Sequence, residues 1–533
     1  MNVIKEMIAN PHWINARYSS YWDFLLDSYE GGIDYTNARI TNQKSAGVIE
    51  KIYRYFVNGV QQDTISNVQG NLFLHPKEKI DDYTRRVMMS YYYNFCAPII
   101  DIYSDHLFKQ AITEDFKEIK TTLANPVVAN NIDLQGSSIA EFRKNMGDMA
   151  QLYGHCFVIV DSPSVSKTGE LRTMQDQIEK RAFPYVTLFK PQNVINWSLD
   201  EKGFPYWVLV KETYDGNEDP MEFDKSEATK CIFRLWTRED WSAYNEDGEQ
   251  IDAGHHGLGL VPIVCVFDKK SKRARNFLGV SSISDIAFIA RDVYNSSSEL
   301  RQILRDQTFA FLAIQGTSDE YSALELGTGK GLIYPEGRNA PAYISPPADN
   351  AQVYFDHIDR QISKIFEIAK MGSGGLGNKA KASPGNGAPS VDSQSGVSKA
   401  WDFNQINSSL ATKSANLEDA EIRIWQIFAA WEGKTFSGNI QYPNEFSISS
   451  LQDDMSEAEQ AARVQLGKTF DAEIRKAIIK KKFPRKSDKE IDAMGVEVDA
   501  LLTKREQTAG SMMADRVKGL FGQDKNINQS GVQ

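Results

Sequence analysis

Histidine is scarce, with seven in 533 residues, and cysteine scarcer, with four. Cys96, Cys156, Cys231 and Cys265 stand far apart beside apolar residues and spell no CxxC and no Cys/His ligand cluster. That pattern excludes a structural zinc site and a disulfide framework, and predicts buried, reduced thiols. No run of about 18 apolar residues occurs, so no membrane-spanning helix is expected. The N-terminal stretch MNVIKEMIANPHW is too mixed for a secretory h-region. The expectation is a protein made and kept in a cytoplasm until something assembles it elsewhere. HExxH, GxSxG and EF-hand signatures are missing. Gly327-Thr328-Gly329-Lys330-Gly331 contains a Gly-Lys pair, but Leu324 stands where a phosphate loop needs glycine and Gly331 where it needs Ser or Thr. Gly372-Ser373-Gly374-Gly375-Leu376-Gly377 follows a helical pattern, whereas GxGxxG requires a preceding strand. His255-His256 has no carboxylate or second histidine pair at ligand spacing and reads as a loop pair. The chain therefore offers no catalytic residue, no metal site and no cofactor, and the expectation is that it is not an enzyme.

What is present is an ordinary globular composition, 41% hydrophobic and 25% charged. The length suggests roughly three or four domain-sized units. A net charge of −11 argues against nucleic-acid binding by the whole surface, while leaving room for a local basic site.

Residues 1–75 read as helices and loops rich in aromatics, broken at Glu30-Gly31-Gly32. From Pro76, the residues Tyr83, Val87, Tyr91, Phe95, Ile99 and Ile102 recur at helical spacing, which predicts one long helix kinked at Pro98. This aromatic stripe is read as core. Residues 139–154 form a short amphipathic helix, after which the period changes from helical to alternating. Short β-branched and aromatic runs separated by turn signals predict an antiparallel β-rich region over about 155–267.

Three long helices follow. In the first, Ile283, Ile286, Ala290, Val293, Ser297, Leu300 and Leu304 alternate at three and four residues, with Ser282 and Asp285 resembling a capping box and an end by Gly316. A Gly- and Pro-studded piece over 316–348 reads as a small β-containing module. The second helix starts near Asp349, carries Tyr354, Ile358, Ile362, Ile365 and Ala369 on one face, and stops at Gly372. The third holds Phe403, Ile406, Leu410, Leu417, Ala420, Ile424, Ile427 and Trp431 in register, with Lys413 the one polar break and Gly433 a C-cap. Between the second and third lies a segment, 372–396, with seven glycines, five serines and two prolines. Its only charges are Lys379, Lys381 and Asp392, and its composition predicts a mobile loop. The last hundred residues read as helices, with a basic cluster at Lys480, Lys481 and Lys482, ending in a polar tail from about Gln523.

Taken together, YTRRVMMSYYYN at 83–94, YGHCFVIVDSP at 153–163, PYVTLFKPQNVINW at 184–197, the helix–β module–helix unit at 282–371, and SGVSKAWDF at 395–403 with LEDAEIRIW further along resemble the portal (head-to-tail connector) proteins of tailed bacteriophages. The resemblance spans roughly 75–480. It implies an α+β, mainly helical fold. Its wing (1–281) would hold helices and antiparallel β, followed by a descending stem helix (282–312), a small α/β clip (313–348) and an ascending stem helix (349–371). A tunnel loop (372–396), a wing-crossing long helix and return (397–449), helical crown (450–522) and disordered tail (523–533) would complete it. It further implies a homo-oligomeric ring, typically of twelve subunits, at one capsid vertex of a virion. Viral double-stranded DNA would be packaged and ejected through its channel without sequence specificity. The implied partners are the terminase large subunit, a neck adaptor and capsid proteins, with no membrane. Twelve copies would carry roughly −130 charges, few of them able to grip a passing phosphate. In that frame Lys379, Lys381, Asn378 and Asn386 are the candidate DNA-channel residues. Ile286, Val293, Leu300, Leu304, Ile358, Ile362, Ile365, Leu410, Leu417 and Ile424 are the candidate subunit-interface residues. The competing expectations are a head-neck scaffold or adaptor that forms no ring, and a packaging nuclease or ATPase.

Overall fold

A computed structural model describes residues 3–36, 71–75, 78–163, 174–215, 229–273, 277–308, 311–313, 342–344, 349–370, 396–446, 476, 478–479 and 490–497. The chain divides into two units, Met1–His106 with Thr113–Asn444, and Leu107–Ile112 with Glu445–Gln533.

The first unit opens with α1 (Val3–Ala9), α2 (Trp13–Glu30) and α3 (Gly32–Thr36). Gly31, at φ 65°, makes the break between the last two, where a side chain would be strained. Next come α4 (Ile80–Met89) and α5 (Cys96–Leu107). The single kinked helix expected over this stretch is therefore two, separated by extended chain at 90–95. Pro98 lies in the first turn of α5, where its missing N–H has no helical partner to lose. The aromatic stripe divides accordingly. Tyr83 and Val87 join Tyr35, Leu72, Leu74 and Tyr294 in one buried cluster, while Tyr91 is 54% exposed.

After β1 (Thr113–Asp115), α6 (Ile139–Tyr153) is capped by the Ser138 hydroxyl, which accepts from the Glu141 amide at 3.2 Å. It ends on Gly154 in the left-handed region. The change of period beyond that glycine becomes β2 (His155–Asp161), α7 (Met174–Glu179), β3 (Tyr185–Phe189), β4 (Val194–Leu199), β5 (Pro205–Asp215), β6 (Thr229–Thr237), β7 (Asp240–Tyr244), β8 (Gln250–His255) and β9 (Ile263–Phe267). All the strand pairs are antiparallel, in a three-stranded sheet ordered β3-β2-β9 and a five-stranded meander β4-β5-β6-β7-β8.

Every residue of β2 is buried, which explains its unbroken run HCFVIVD: both faces of the strand are covered. The Cys156 thiol lies against the Met146 carbonyl of α6, and on the other face His155 meets Trp22 of α2. The bulge near Ile195 in β4 receives the N-terminal segment. There the Ile195 carbonyl accepts from His12, and the Asn196 amide donates to the carbonyls of Met7 and Asn10.

Then come α8 (Ser284–Thr308), β10 (Phe311–Ala313), β11 (Ala342–Ile344), α9 (Asp349–Ile368), α10 (Gly396–Trp431) and β12 (Asn439–Gln441). The first long helix ends at Thr308, earlier than expected, and its supposed continuation at Phe311 is a strand paired antiparallel with β11. The capping box is also corrected. Ser282 lies before the helix and its hydroxyl donates to Asp268 at 2.6 Å. At the far end of α10, Gly433 (φ 68°) closes a Schellman motif: its amide donates to Ala430 and that of Lys434 to Ala429, each at 2.9 Å. In the second unit, Gln110 donates to the Glu445 carbonyl at 2.8 Å, and residues 490–497 form a helical segment with Ile491 buried. The fold is thus a mixed α+β one, with long helices and antiparallel sheets in the first unit.

Candidate functional site

The chemistry-bearing part of the first unit is a helical hairpin, α8 and α9, and the polar groups that root it. Tyr354 donates to Glu299 at 2.8 Å, and His357 lies 2.9 Å from Asp292. Rising numbers on α9 meet falling numbers on α8, so the two run antiparallel, and the β10–β11 ribbon lies between them in sequence. Buried Val293, Leu300 and Ile365 hold the helices to the rest of the unit.

The root of the hairpin is a buried ion pair. Lys413 of α10 donates to the Asp268 carboxylate and to the Ser282 hydroxyl just before α8. The pair is only 7% and 6% exposed. Asn416 donates to the Asp268 carbonyl at 2.8 Å, and the Lys413 ammonium sits over the Tyr103 ring at 5.5 Å. The Tyr103 hydroxyl, pushed up to about 12 by burial and then by Asp268, donates to the Ala369 carbonyl at the end of α9. One network therefore fastens both ends of the hairpin to the middle of α10. The polar break at Lys413, out of place in an apolar stripe, is its centre.

Two further charge clusters hold the scaffold. Arg143 of α6 pairs with Glu421 of α10 at 2.6 Å and with Glu114 of β1 at 2.7 Å. Glu421 also accepts from Trp425 and from the Tyr442 hydroxyl. Arg234 of β6 bridges Asp161 of β2 at 2.9 Å and Glu212 of β5 at 3.1 Å, so it joins the two sheets. Burial raises both carboxyl pKa values, and Arg234 works against that rise. These carboxylates are held within hydrogen bonds that include those from Tyr185 and Tyr214. Sequence spacing gave no sign of either cluster, because their members lie tens to hundreds of residues apart.

His255 is the last residue of β8 rather than a loop residue, with its Nδ1 2.7 Å from Asp240. His256 packs between Trp236 and Trp431, and its Nε2 donates to the Thr237 carbonyl at 3.2 Å. Among the described residues, no group of three His, Cys, Asp or Glu side chains is placed to hold a metal. None of the described helices is long and apolar enough to cross a membrane. Cys96 and Cys156 are buried and Cys231 and Cys265 half-buried, all unpaired thiols.

Lys379, Lys381, Asn378 and Asn386 lie outside the described residues, as do the stretches 314–341 and 498–533. The ten apolar interface candidates divide. Ile286, Val293, Leu300, Ile365, Leu410, Leu417 and Ile424 are buried in the unit's own core. Ile358 and Ile362 are half-buried, and Leu304 is 40% exposed. The other apolar side chains left outside on the hairpin are Phe288 at 45%, Val353 at 67%, Phe355 at 45% and Ile368 at 42%. Periodicity missed them because they stand off the core-facing stripe.

No protein-family model and no curated protein matches the chain. Among solved structures, a chain from the virion of a native gene transfer agent (GTA) particle overlaps 70% of this chain and 85% of its own length, at 10% identity and a TM-score of 0.37. At that score the likeness carries no argument about fold or role.

Proposed function

We infer that the chain is a structural protein of a phage-like virion and, within that class, a portal subunit. Copies would form a ring, typically of twelve, through which double-stranded DNA enters and leaves the capsid. In this reading α8 is the descending stem helix, the β10–β11 ribbon belongs to the clip, α9 is the ascending stem helix and α10 crosses the wing with both sheets. Segment 372–396 would be the tunnel loop, with Lys379 and Lys381 touching passing phosphates without sequence preference, and 450–522 the crown. Terminase, a neck adaptor and capsid proteins are the partners the reading calls for.

The observation that carries it is the antiparallel α8–α9 hairpin rooted at both ends on a 36-residue helix, in the chain order of the motifs from 83 to 425. The apolar side chains the hairpin leaves uncovered support it too, because a monomer gains nothing from wetting Val353 or Phe355 and a neighbouring subunit would cover them. Electron micrographs of the purified protein test the reading. Annular particles are expected. Single-lobed particles alone, under every assembly condition, would overturn the ring and leave an adaptor that works as a monomer.

A further inference from the structure

Between the C-terminal ends of α4 and α8 lies a cleft of about 140 Å³ lined by four arginines, Arg85, Arg86, Arg301 and Arg305. Two are neutralised. Arg86 is buried in a bidentate pair with Glu78, its Nε and Nη2 each 2.8 Å from a carboxylate oxygen, and Arg85 reaches Asp82 at 3.0 Å. The other two meet no carboxylate among the described residues. Arg301 donates to the Met89 carbonyl at 2.5 Å and lies over the Tyr91 ring at 5.4 Å. Arg305 makes its one described contact to the Met89 thioether, at 3.3 Å. A thioether is a weak acceptor, so the five donors of that guanidinium are almost entirely unspent.

Four guanidiniums against two carboxylates leave two positive charges facing one opening. In a chain of net charge −11 such an excess is local, and it stands beside further polar groups, Ser90, Ser298 and Gln302. Basic residues near a helix C-terminus have an ordinary use, to complement the helix dipole and cap the last carbonyls, and Arg301 does this for α4 through Met89. Arg305 caps nothing in α4. Planar forks at different heights along one helix suit an acceptor with oxygens in several directions. A phosphate group has that geometry; free phosphate carries a charge close to −2, equal and opposite to the excess, and a backbone phosphodiester carries −1 per phosphate. At about 30 Å³ per water in the liquid, the cleft has room for such a group with water around it.

We propose that this cleft binds a phosphate group, either free or in a nucleic-acid backbone, on the guanidiniums of Arg301 and Arg305. The inference stands on the isolated subunit and does not depend on the ring.

Isothermal titration of the full-length protein with inorganic phosphate at constant ionic strength, against sodium chloride as control, tests it. Saturable binding is expected. Arg305→Gln should weaken it by about ten- to a hundredfold, since one charge-assisted pair is lost, while Arg305→Lys keeps part of the affinity. Because Arg305 gives up only a thioether contact, its variants should melt with wild type in the absence of phosphate. Arg301→Gln provides a second loss through the other guanidinium. A short DNA duplex that displaces phosphate from wild type, and binds Arg305→Gln more weakly, identifies the source as a nucleic-acid backbone; a duplex that displaces nothing identifies free phosphate. Absence of saturable binding by wild type, or unchanged binding by both glutamine variants, overturns the proposal.

Discussion

His155 is a histidine whose chemistry burial alters strongly. It is enclosed by the rings of Trp22, Phe157 and Phe267, and its Nδ1 accepts from the Gly279 amide at 3.3 Å. An imidazole accepting at Nδ1 is neutral, and burial pushes its pKa down to about 3 from 6.5. The unfolded chain therefore takes up a proton near pH 6.5 that the folded chain refuses until about pH 3. Stability from this residue is fully present above pH 6.5 and drains away as pH falls, by about 1.4 kcal/mol per unit. In urea titrations between pH 7 and 4, His155→Asn should lower stability at neutral pH and flatten the acid slope relative to wild type. An unchanged slope would show that His155 does not remain neutral in the folded chain. Nothing in the spacing marked this residue beyond its place in an apolar strand, since its environment comes from α2 and the chain near Gly279. Lys413 was visible as an anomaly for the opposite reason: a charge inside a regular apolar stripe breaks a pattern even when its partner, Asp268, is 145 residues away.

At the scale of elements, periodicity carried far. The amphipathic helices at α6, α8, α9 and α10 were legible because each buries a face with its own spacing, and the strands from β2 to β9 because short β-branched and aromatic runs alternate with turn residues. The stretch from Tyr83 to Ile102 was not. Two successive helices imitate one, and the chain between them is held by tertiary bonds the sequence does not show: Tyr92 donates to the Ser28 carbonyl at 3.0 Å and Asn94 to that of Tyr29 at 2.7 Å. Junctions were equally hidden. At the turn from α6 into β2 the main chains of Gly154 and Gly279 touch. A Cβ on Gly154 would come within 2.5 Å of the Val280 backbone, and one on Gly279 would run into the Gly154 carbonyl. Gly279→Ala should cost about 3 kcal/mol in chemical denaturation, because the clash is with backbone that cannot rotate away. A loss below about 1 kcal/mol would mean that the crossing yields.

For the whole molecule, most of the apolar residues offered from the sequence as an interface are buried in the first unit's own core. Helical stripes report what a helix buries first, and in α8 and α10 that is the unit's own interior. Exposed apolar groups on the hairpin are those that interrupt its polar side, Val353 and Phe355 among them. If copies associate through them, as the proposed ring requires, Val353→Asp with Phe355→Ser should abolish the oligomer in mass photometry while leaving the circular dichroism and melting temperature of the chain unchanged. Rings that persist in this double variant would move the interface elsewhere.

The fastening of the hairpin has a mechanical consequence. α8 extends for 25 residues, about 37 Å at the rise of an α-helix, and it is gripped beside Ser282 while α9 is gripped beside Ala369. A sideways push near the β10–β11 ribbon meets first the contacts along α8, at buried Leu300 and at Arg301 and Arg305 against Met89. What these do not absorb reaches the root, where Lys413 ties Ser282 to the middle of α10.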